Sequence, residues 1–168
     1  LTDYDLPLIP VLYEMEKTGV LIDRAYFKEL KSEFTEKVAE LEQKIYSVCG
    51  VNFNVNSPIQ LSKVLFEDLA LPTKGIKKTT RGFSTGVSEL EKLEGQHPVI
   101  EMIKEYREVS KLLSTYILPL PELAGEDGRI HTTFTQNVTA TGRLSSVNPN
   151  LQNIPVRSED GKRIRTGF

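Results

Sequence analysis

Apolar residues recur at spacings of three and four along two long stretches of the chain, residues 23–50 and 98–117. This spacing is typical of amphipathic α-helices, and Lys and Glu residues fill the opposite face of the first one. Each apolar stripe needs a partner that covers it, so we predict that the two helices pack antiparallel. The stripes consist of Phe27, Leu30, Phe34, Val38, Leu41, Ile45 and Val48, and of Val99, Ile103, Tyr106, Val109 or Ser110, Leu113 and Ile117.

Capping residues and prolines predict where these and the shorter helices begin and end. Asp23 can cap the first long helix, and Pro119 and Pro121 should end the second. The polar and basic residues 74–83 predict an exposed loop. The remaining expected helices are a lead-in helix that starts after the Thr2-x-x-Asp5 box and ends at Gly19, a helix with Ser57 as N-cap and Pro58 at its first position that ends before Pro72, and a short helix that Ser84 or Thr85 caps and that ends at Leu93.

The composition changes after Pro121. Residues 125–128 predict a turn, residues 129–136 alternate as a strand, and residues 137–155 show little helical or strand period. The inward residues expected in the strand are Ile130, Thr132 and Phe134. The predicted fold class is therefore mainly α with a small β part (α+β): a long antiparallel helix pair with a helical, basic tip, followed by the beginning of an antiparallel sheet.

Charge is distributed unevenly, although the whole chain carries a net charge of only −2. Residues 129–168 contain six basic and two acidic residues, so this segment has a net charge of +4. A second basic cluster consists of Lys74, Lys77, Lys78 and Arg81, with no acidic residue between them. Local cationic surfaces of this kind can bind polyanions despite a mildly negative total.

The composition also argues against several classes of protein. Cys49 is the only cysteine, so an internal disulfide is impossible and a reducing compartment is expected. The longest apolar runs, such as residues 117–120, are too short to cross a membrane. His97 and His131 stand apart with no recognisable motif around them, so we expect them to be neither catalytic nor zinc ligands.

The strongest motif lies in the last third of the chain, where residues 139–146 read TATGRLSS and residues 149–157 read PNLQNIPVR. Together they resemble a signature of family A DNA polymerases, in wording most similar to the bacterial DNA polymerase I branch. The resemblance extends over nearly the whole chain, through residues 54–57, 65–66, 69–72, 106–108 and 114–116. It implies a thumb subdomain with a lead-in helix over residues 1–119, and the first part of the palm over residues 120–168, ending before the catalytic Asp.

The same resemblance implies a fragment of a DNA-directed DNA polymerase that acts in replication and repair. Magnesium and deoxynucleoside triphosphates are expected for the parent enzyme, whereas no catalytic or metal-binding residue is predicted in this chain, since Glu159 and Asp160 match no metal motif. The expected partners are primer–template double-stranded DNA and the remainder of the polymerase chain, namely the rest of the palm, the fingers and an upstream exonuclease-like domain. The fragment alone is expected to be inactive, and the protein to be cytoplasmic and nucleoid-associated.

Hydrogen-bond donors dominate the loop that carries the signature. They are Arg143, Asn150, Gln152 and Asn153, and no carboxylate lies between the first and the last of them. In the DNA minor groove, purine N3 and pyrimidine O2 are acceptors at nearly the same place in every correct base pair. The resemblance implies that Arg143 reaches the minor groove at the primer end, with Asn150 and Asn153 nearby on the duplex. The alternative is that these side chains bond the backbone of their own loop, as Asn and Gln often do.

Phosphate contacts are expected mainly from the thumb, and they would position the duplex without reading its sequence. The alternative is a solvated charged surface with ordinary helix caps, in which Arg107 pairs with Glu105 or Glu108. The candidate residues are Asn56, Ser57, Lys74, Lys77, Lys78, Arg81, Ser84, Thr85, Arg107, Lys111 and Arg157.

Two other functions compete with the enzyme fragment. One is a freestanding, non-catalytic nucleic-acid-binding module, which a longer parent sequence carrying the metal-binding Asp would exclude. The other is a helical scaffold or interaction domain. DNA titration at low salt would exclude the scaffold, because a scaffold should not bind DNA.

Overall fold

A computed structural model describes residues 5–168, so the predicted capping role of Thr2 lies outside the described residues. The chain forms two compact units. The first contains the described part of Leu1–Ser32 together with Leu112–Phe168, and the second is Glu33–Lys111. The division into a thumb over residues 1–119 and a palm over residues 120–168 stays a prediction.

The described residues are mainly helical and carry short antiparallel strands, which confirms the predicted fold class. None of the helices between Asp5 and Phe168 is both long and apolar enough to cross a membrane. The helices are α1 Asp5–Thr18, α2 Arg24–Cys49, α3 Pro58–Lys63, α4 Val87–Glu91, α5 Val99–Leu112, α6 Pro119–Leu123 and α7 Glu159–Arg165. The strands are β1 Val20–Leu21, β2 Lys78–Thr79, β3 Gly82–Phe83, β4 Arg129–Ile130, β5 Thr133–Thr135 and β6 Ser145–Val147, paired as β1–β4, β2–β3 and β5–β6.

Both ends of α2 follow from local sequence signals. The Asp23 carboxylate accepts a hydrogen bond from the Tyr26 N–H at 2.9 Å, which satisfies one of the unpaired donors of the first turn. At the other end Gly50 has a φ of +69° and donates its N–H to the Tyr46 carbonyl at 2.8 Å. Only glycine adopts that backbone conformation without strain, so the predicted end of this helix is confirmed.

The apolar stripe of α2 is buried along most of its length. Phe34 and Ile45 are fully buried and Leu41 is 5% exposed, whereas Val38 is half-buried. Val48 is 38% exposed, so its predicted inward position is wrong. Because an α-helix turns every 3.6 residues, the buried face passes from Ile45 to Cys49, four residues on, and Val48 falls beside it.

The second unit has one core to which α2 and α5 both contribute. The Lys37 ammonium on α2 lies 3.4 Å from the Glu105 carboxylate on α5, so the two helices approach each other at this point. Tyr106 and Val109 are buried as the stripe on α5 predicts. The buried apolar residues of the unit are Phe34, Leu41, Ile45, Val55, Leu61, Val64, Leu65, Leu71, Ile76, Leu90, Leu93, Val99, Ile100, Ile103, Tyr106 and Val109.

The prolines after α5 begin a helix instead of ending one, which corrects the prediction. The chain widens into a π-helical turn over Leu113–Ile117, and the Leu118 N–H donates to the Leu113 carbonyl at 2.9 Å. Pro119 then takes the first position of α6, where its missing N–H costs nothing. Leu112 is buried, whereas Leu113, predicted inward, is only half-buried.

The basic segment 74–83, predicted as an exposed loop, contains a β-hairpin. Lys78 pairs with Phe83 and Thr79 with Gly82, and the Thr79 hydroxyl closes the turn by donating to the Gly82 carbonyl at 2.8 Å. Strands of two residues leave no alternation to detect in the sequence. We call residues 74–83 the tip hairpin.

The short helix after the tip hairpin is capped by Gly86, so the prediction of Ser84 or Thr85 as its cap is wrong. The Ser84 hydroxyl accepts instead from the Gly86 N–H at 3.3 Å, before the helix begins at Val87. In contrast, Ser57 is the N-cap of α3 as predicted, with its hydroxyl oxygen accepting from the Gln60 N–H.

In the first unit, the strand predicted over residues 129–136 is divided in two. β4 pairs with β1, whereas β5 pairs with β6, which lies where no period was predicted. His131 and Thr132 separate the two strands, and Thr132 is only 4% exposed. Its hydroxyl contacts the Ser146 hydroxyl at 2.6 Å and donates to the Pro149 carbonyl at 2.7 Å, so it fixes the chain across β6.

The C-terminal end of the first unit packs closely on the start of α2. The Asp23 N–H donates to the Gly167 carbonyl at 2.8 Å, and the rings of Phe27 and Phe168 meet edge to face with centroids 5.8 Å apart. A Cβ on Gly167 would lie 2.3 Å from the Phe27 ring. Glycine is therefore required at residue 167 for this approach.

The core of the second unit can be tested with two substitutions on one helix. Leu41→Ala should lower the free energy of unfolding by about 2–5 kcal/mol, because it leaves a cavity in a close-packed interior. Val48→Ala, at a position that is 38% exposed, should lower it by less than about 0.5 kcal/mol. Urea denaturation followed by circular dichroism measures both. Equal losses would contradict the burial described for this stripe.

Candidate nucleic-acid interface

A cleft of about 430 Å³ opens in the second unit, where α3, the tip hairpin, the segment before α4 and α5 meet. Its lining residues are Ser57, Pro58, Ile59, Thr79, Arg81, Phe83, Ser84, Thr85, Gly86 and Arg107. Five predicted phosphate residues are thereby brought together from across fifty positions of sequence: Ser57, Arg81, Ser84, Thr85 and Arg107. Within residues 5–168, no Asp or Glu lines this cleft.

Arg107 is the charged group most constrained by the cleft. Its Nη1 donates to the Thr85 carbonyl and its Nη2 to the Thr85 hydroxyl at 3.2 Å. The side chain is half-buried, and this burial lowers the pKa of the guanidinium from its usual value. The predicted alternative, an ion pair with Glu105 or Glu108, is absent from the described part of the chain, where Glu105 instead pairs with Lys37.

An arginine in these surroundings has its geometry fixed while its charge stays uncompensated. A carbonyl and a hydroxyl satisfy two donors of Arg107 but supply no negative charge. Thr85 is only 4% exposed, so its hydroxyl serves to hold Arg107 and is not presented at the surface. The remaining guanidinium donors are available to an anion in the cleft.

The other cations of the tip hairpin are exposed. Arg81 lies at the turn, where its N–H donates to the Thr79 hydroxyl at 3.2 Å, and the Lys78 ammonium lies 5.8 Å from the centre of the Phe83 ring. Among residues 5–168, the side chains of Lys74, Lys77 and Arg81 have no ion-pair or hydrogen-bond partner. Their charges are therefore free to meet an external anion.

Some predicted phosphate residues lie outside the lining of the cleft. Asn56 donates its side-chain amide to the Tyr106 hydroxyl at 3.1 Å and is exposed. Lys111 is exposed on α5, and Arg157 is exposed in the first unit. The lysines Lys74, Lys77 and Lys78 belong to the tip hairpin but do not line the cleft.

In the first unit, the loop that carries Arg143 is held by its backbone. The Thr139 hydroxyl donates to the Arg143 carbonyl at 2.6 Å, and the Gly142 N–H donates to the Thr139 carbonyl at 3.3 Å. Gly142 has a φ of +72°. The Arg143 side chain is exposed and makes no hydrogen bond or ion pair with any described residue. Its main chain is thus anchored while its five donors remain unused.

The three amide side chains of the signature have different environments. Gln152 donates to the Leu144 carbonyl at 2.8 Å and accepts from the Ser146 N–H at 3.1 Å, so both ends of its amide bind the loop backbone. The side-chain oxygen of Asn150 accepts from the N–H groups of Gln152 and Asn153 at 3.0 and 3.1 Å, whereas its amide nitrogen takes no part in these bonds. Asn153 is exposed, and its own carbonyl accepts from the Tyr116 hydroxyl at 2.7 Å.

Buried hydroxyls that the sequence did not single out position this loop. Ser146 is 1% exposed, and its hydroxyl oxygen accepts from the Leu151 N–H at 3.3 Å. It also contacts the Thr132 hydroxyl described above. The alternation along the predicted strand pointed Thr132 inward, but its partner lies fourteen residues further along the chain. No local pattern could have identified that pair.

Comparison with known proteins places this geometry in a family. The family model described as DNA polymerase family A matches residues 24–168. DNA polymerase I of Lactococcus lactis subsp. lactis (strain IL1403) is 49% identical over 168 residues, which cover 100% of this chain and 19% of that protein. The thermostable DNA polymerase I of Thermus aquaticus is 50% identical over 167 residues, which cover 99% of this chain and 20% of that protein.

A solved structure agrees with these relatives. It is the POL domain of Pol1 from M. smegmatis in complex with DNA primer-template and dNTP, with a TM-score of 0.88 and 41% sequence identity. It covers 100% of this chain, which in turn covers 30% of that domain's chain. The present chain spans about a fifth of the length of the curated relatives. Because the family model matches 145 of the 168 residues, the chain belongs to DNA polymerase family A.

Proposed function

We propose that this chain is the part of a DNA polymerase I-like enzyme that holds primer–template duplex DNA, contacting phosphates through the second unit and the minor groove through the Arg143 loop. One observation carries the proposal: the cleft gathers two arginines and several hydroxyls, with no Asp or Glu among its described lining residues. The M. smegmatis relative, whose structure contains DNA primer-template, supports the same class of ligand.

Phosphate binding accounts for the state of Arg107. A half-buried guanidinium without a carboxylate partner is costly unless an external anion compensates it. A DNA phosphate supplies that charge, and its oxygens match the geometry of the arginine fork. Arg81 at the edge of the cleft and the lysines of the tip hairpin extend the cationic surface along a phosphate backbone. Contacts of this type hold the duplex equally well at every sequence.

Minor-groove binding accounts for the exposure of Arg143. Its guanidinium is free, and its main chain is anchored by Thr139. Donors aimed at purine N3 and pyrimidine O2 sense the geometry of a base pair without sensing its sequence. Asn150 and Asn153 would lie beside it on the duplex. Gln152, whose amide is occupied by the backbone, would hold the loop in shape and contact DNA only if those bonds open.

The activity of the whole protein is part of the same proposal. Template-directed nucleotidyl transfer would need magnesium, deoxynucleoside triphosphates and carboxylates supplied by the rest of the polymerase. Residues 1–119 would form the thumb with its lead-in helix, and residues 120–168 the first part of the palm. The remainder of the palm, the fingers and an upstream exonuclease-like domain would be the partners within the parent chain. The 168 residues alone should extend no primer.

Loss of tip-hairpin cations should weaken DNA binding uniformly across sequences. In the full-length polymerase, each of Lys77→Ala, Lys78→Ala and Arg81→Ala should flatten the slope of log affinity against log salt by about one unit, since each removes one phosphate contact. Lys44→Ala, at an exposed lysine on α2, is the matched control and should leave the slope unchanged. Fluorescence anisotropy over a salt series measures this. Identical slopes for all four variants would refute phosphate binding by the tip hairpin.

Loss of Arg143 should affect catalysis more than affinity. In the full-length polymerase, Arg143→Ala should slow extension of a matched primer end by about five- to 150-fold, because a donor–base contact is worth about 1–3 kcal/mol. The substitution should also reduce the difference in extension rate between matched and mismatched primer ends, because a mispair already displaces the minor-groove acceptor that Arg143 would contact. Arg143→Lys, which keeps the charge and loses the fork, should recover only part of the rate. If Arg143→Ala extends matched primer ends at the parental rate, Arg143 is only a loop residue.

A further inference from the structure

Glu89 is a nearly buried carboxylate that lies against the tip hairpin. Its side chain is 8% exposed, and its Oε2 accepts from the Lys77 N–H at 3.0 Å and from the Lys92 ammonium at 2.9 Å. The same ammonium donates to the Gly75 carbonyl at 2.9 Å. One carboxylate oxygen on α4 therefore connects Lys92, just after this helix, to the backbone of Lys77, the residue immediately before β2.

The tip hairpin needs such an anchor because its own ladder is very short. β2 and β3 have two residues each, and a two-stranded hairpin of that size does not hold its orientation in water by itself. The Phe83 ring packs on Phe66 with centroids 5.1 Å apart and Ile76 is buried, so apolar contacts hold one part of the hairpin and the Glu89 carboxylate holds the backbone at Lys77. Outside the ladder, the Ser84 N–H donates to the Lys77 carbonyl at 2.8 Å. Both the N–H and the carbonyl of Lys77 are therefore hydrogen-bonded, and the bond to Glu89 connects the hairpin to α4.

We infer that Glu89 is a positioning residue for DNA binding, which fixes the tip hairpin so that Lys77, Lys78 and Arg81 meet the phosphates together. This inference rests on the proposed function, because it concerns how the same cations reach the duplex. The inference also predicts a change in DNA affinity opposite to the one expected from charge alone. Removing a negative charge close to a bound polyanion should strengthen binding by simple Coulomb attraction, whereas loss of a positioning carboxylate should weaken it.

Glu89→Gln and Glu91→Gln form a matched pair for the test. Both remove one negative charge from α4 and keep the size of the side chain, but Glu91 is exposed and its side chain has no partner among the described residues. In the full-length polymerase, Glu89→Gln should weaken primer–template binding about three- to tenfold, the scale of one or two lost phosphate contacts, and should flatten the salt slope. Glu91→Gln should bind as tightly as the parent or more tightly.

Steady-state kinetics separate positioning from a general loss of structure. Glu89→Gln should raise KM for primer–template and leave kcat unchanged, because the chemistry occurs elsewhere. Lys92→Gln provides a second variant at a partly exposed site, and it should add little when combined with Glu89→Gln, since both act through one contact. A fall in kcat that matches the rise in KM, or fully additive effects of the two substitutions, would overturn the inference.

The pH dependence gives an independent test with a defined sign. The hydrogen bond from Lys92, followed by the Lys77 N–H, lowers the pKa of the Glu89 carboxyl, and the Ser88 hydroxyl acts in the same direction. The contribution of Glu89 is therefore present above the ordinary carboxyl pKa and is lost as the pH falls through the lowered one. Amide exchange of Lys77, corrected for intrinsic rates, should lose protection in that acid range in the parent, whereas in Glu89→Gln the protection should be low already and independent of pH.

The outcomes distinguish the inference from the proposed function. If the three tip-hairpin variants lower affinity but Glu89→Gln binds DNA as well as Glu91→Gln, the positioning role is wrong and phosphate binding stands. If neither the tip-hairpin variants nor Glu89→Gln changes affinity, phosphate binding by the tip hairpin is wrong, and the inference falls with it.

Discussion

The candidate interface of the second unit depends on one interaction, the pair of hydrogen bonds from the Arg107 guanidinium to the carbonyl and hydroxyl of Thr85. These bonds fix the direction of a half-buried positive charge without neutralising it. A carboxylate in the same place would have produced an ion pair that excludes other anions. Because only neutral oxygens hold Arg107, the surrounding cleft of hydroxyls and the nearby Arg81 form a surface that favours phosphate.

The first unit also relies on neutral groups, but there they hold the main chain and not the guanidinium. Neutral groups hold the backbone of the Arg143 loop: the Thr139 hydroxyl, the Gln152 amide and the buried hydroxyls of Thr132 and Ser146. The Arg143 guanidinium itself takes part in none of these bonds. A rigid main chain with a free donor side chain is suited to a contact that must be placed accurately but must accept any base pair. In the first unit the groups that hold the loop are thus distinct from the side chain that would meet DNA, whereas in the second unit the Arg107 guanidinium has both roles.

Local signals in the sequence were sufficient for much of the fold. Asp23 and Gly50 mark the two ends of α2, and Ser57 caps α3. These features can be predicted because each depends on residues within a single helical turn. The buried positions of α2 followed from the helical period as far as Ile45. The period failed at Val48, in the last turn, where a one-residue shift decides which side chain is covered.

The remaining features depend on partners that are distant in sequence. Pro119 was expected to stop a helix, yet a wider turn before it lets a new helix start there. The cap expected from Thr85 is absent because the helix begins at Val87, which makes Gly86 the cap, and the Thr85 hydroxyl instead accepts from Arg107, twenty-two residues on. Glu89 had no motif around it, since its bond to the Lys77 N–H exists only once the tip hairpin has formed. The resemblance to the family singles out the candidate residues, but which of them share a cleft depends on the tertiary fold.

The most direct measurement is a structure of the full-length polymerase bound to primer–template DNA. In that complex the Arg143 guanidinium should lie within about 3 Å of a purine N3 or pyrimidine O2 near the primer end. A phosphate oxygen should lie within about 3 Å of the free donors of Arg107. A complex in which Arg143 points to solvent or pairs with protein, and no phosphate enters the cleft, would refute the proposed function.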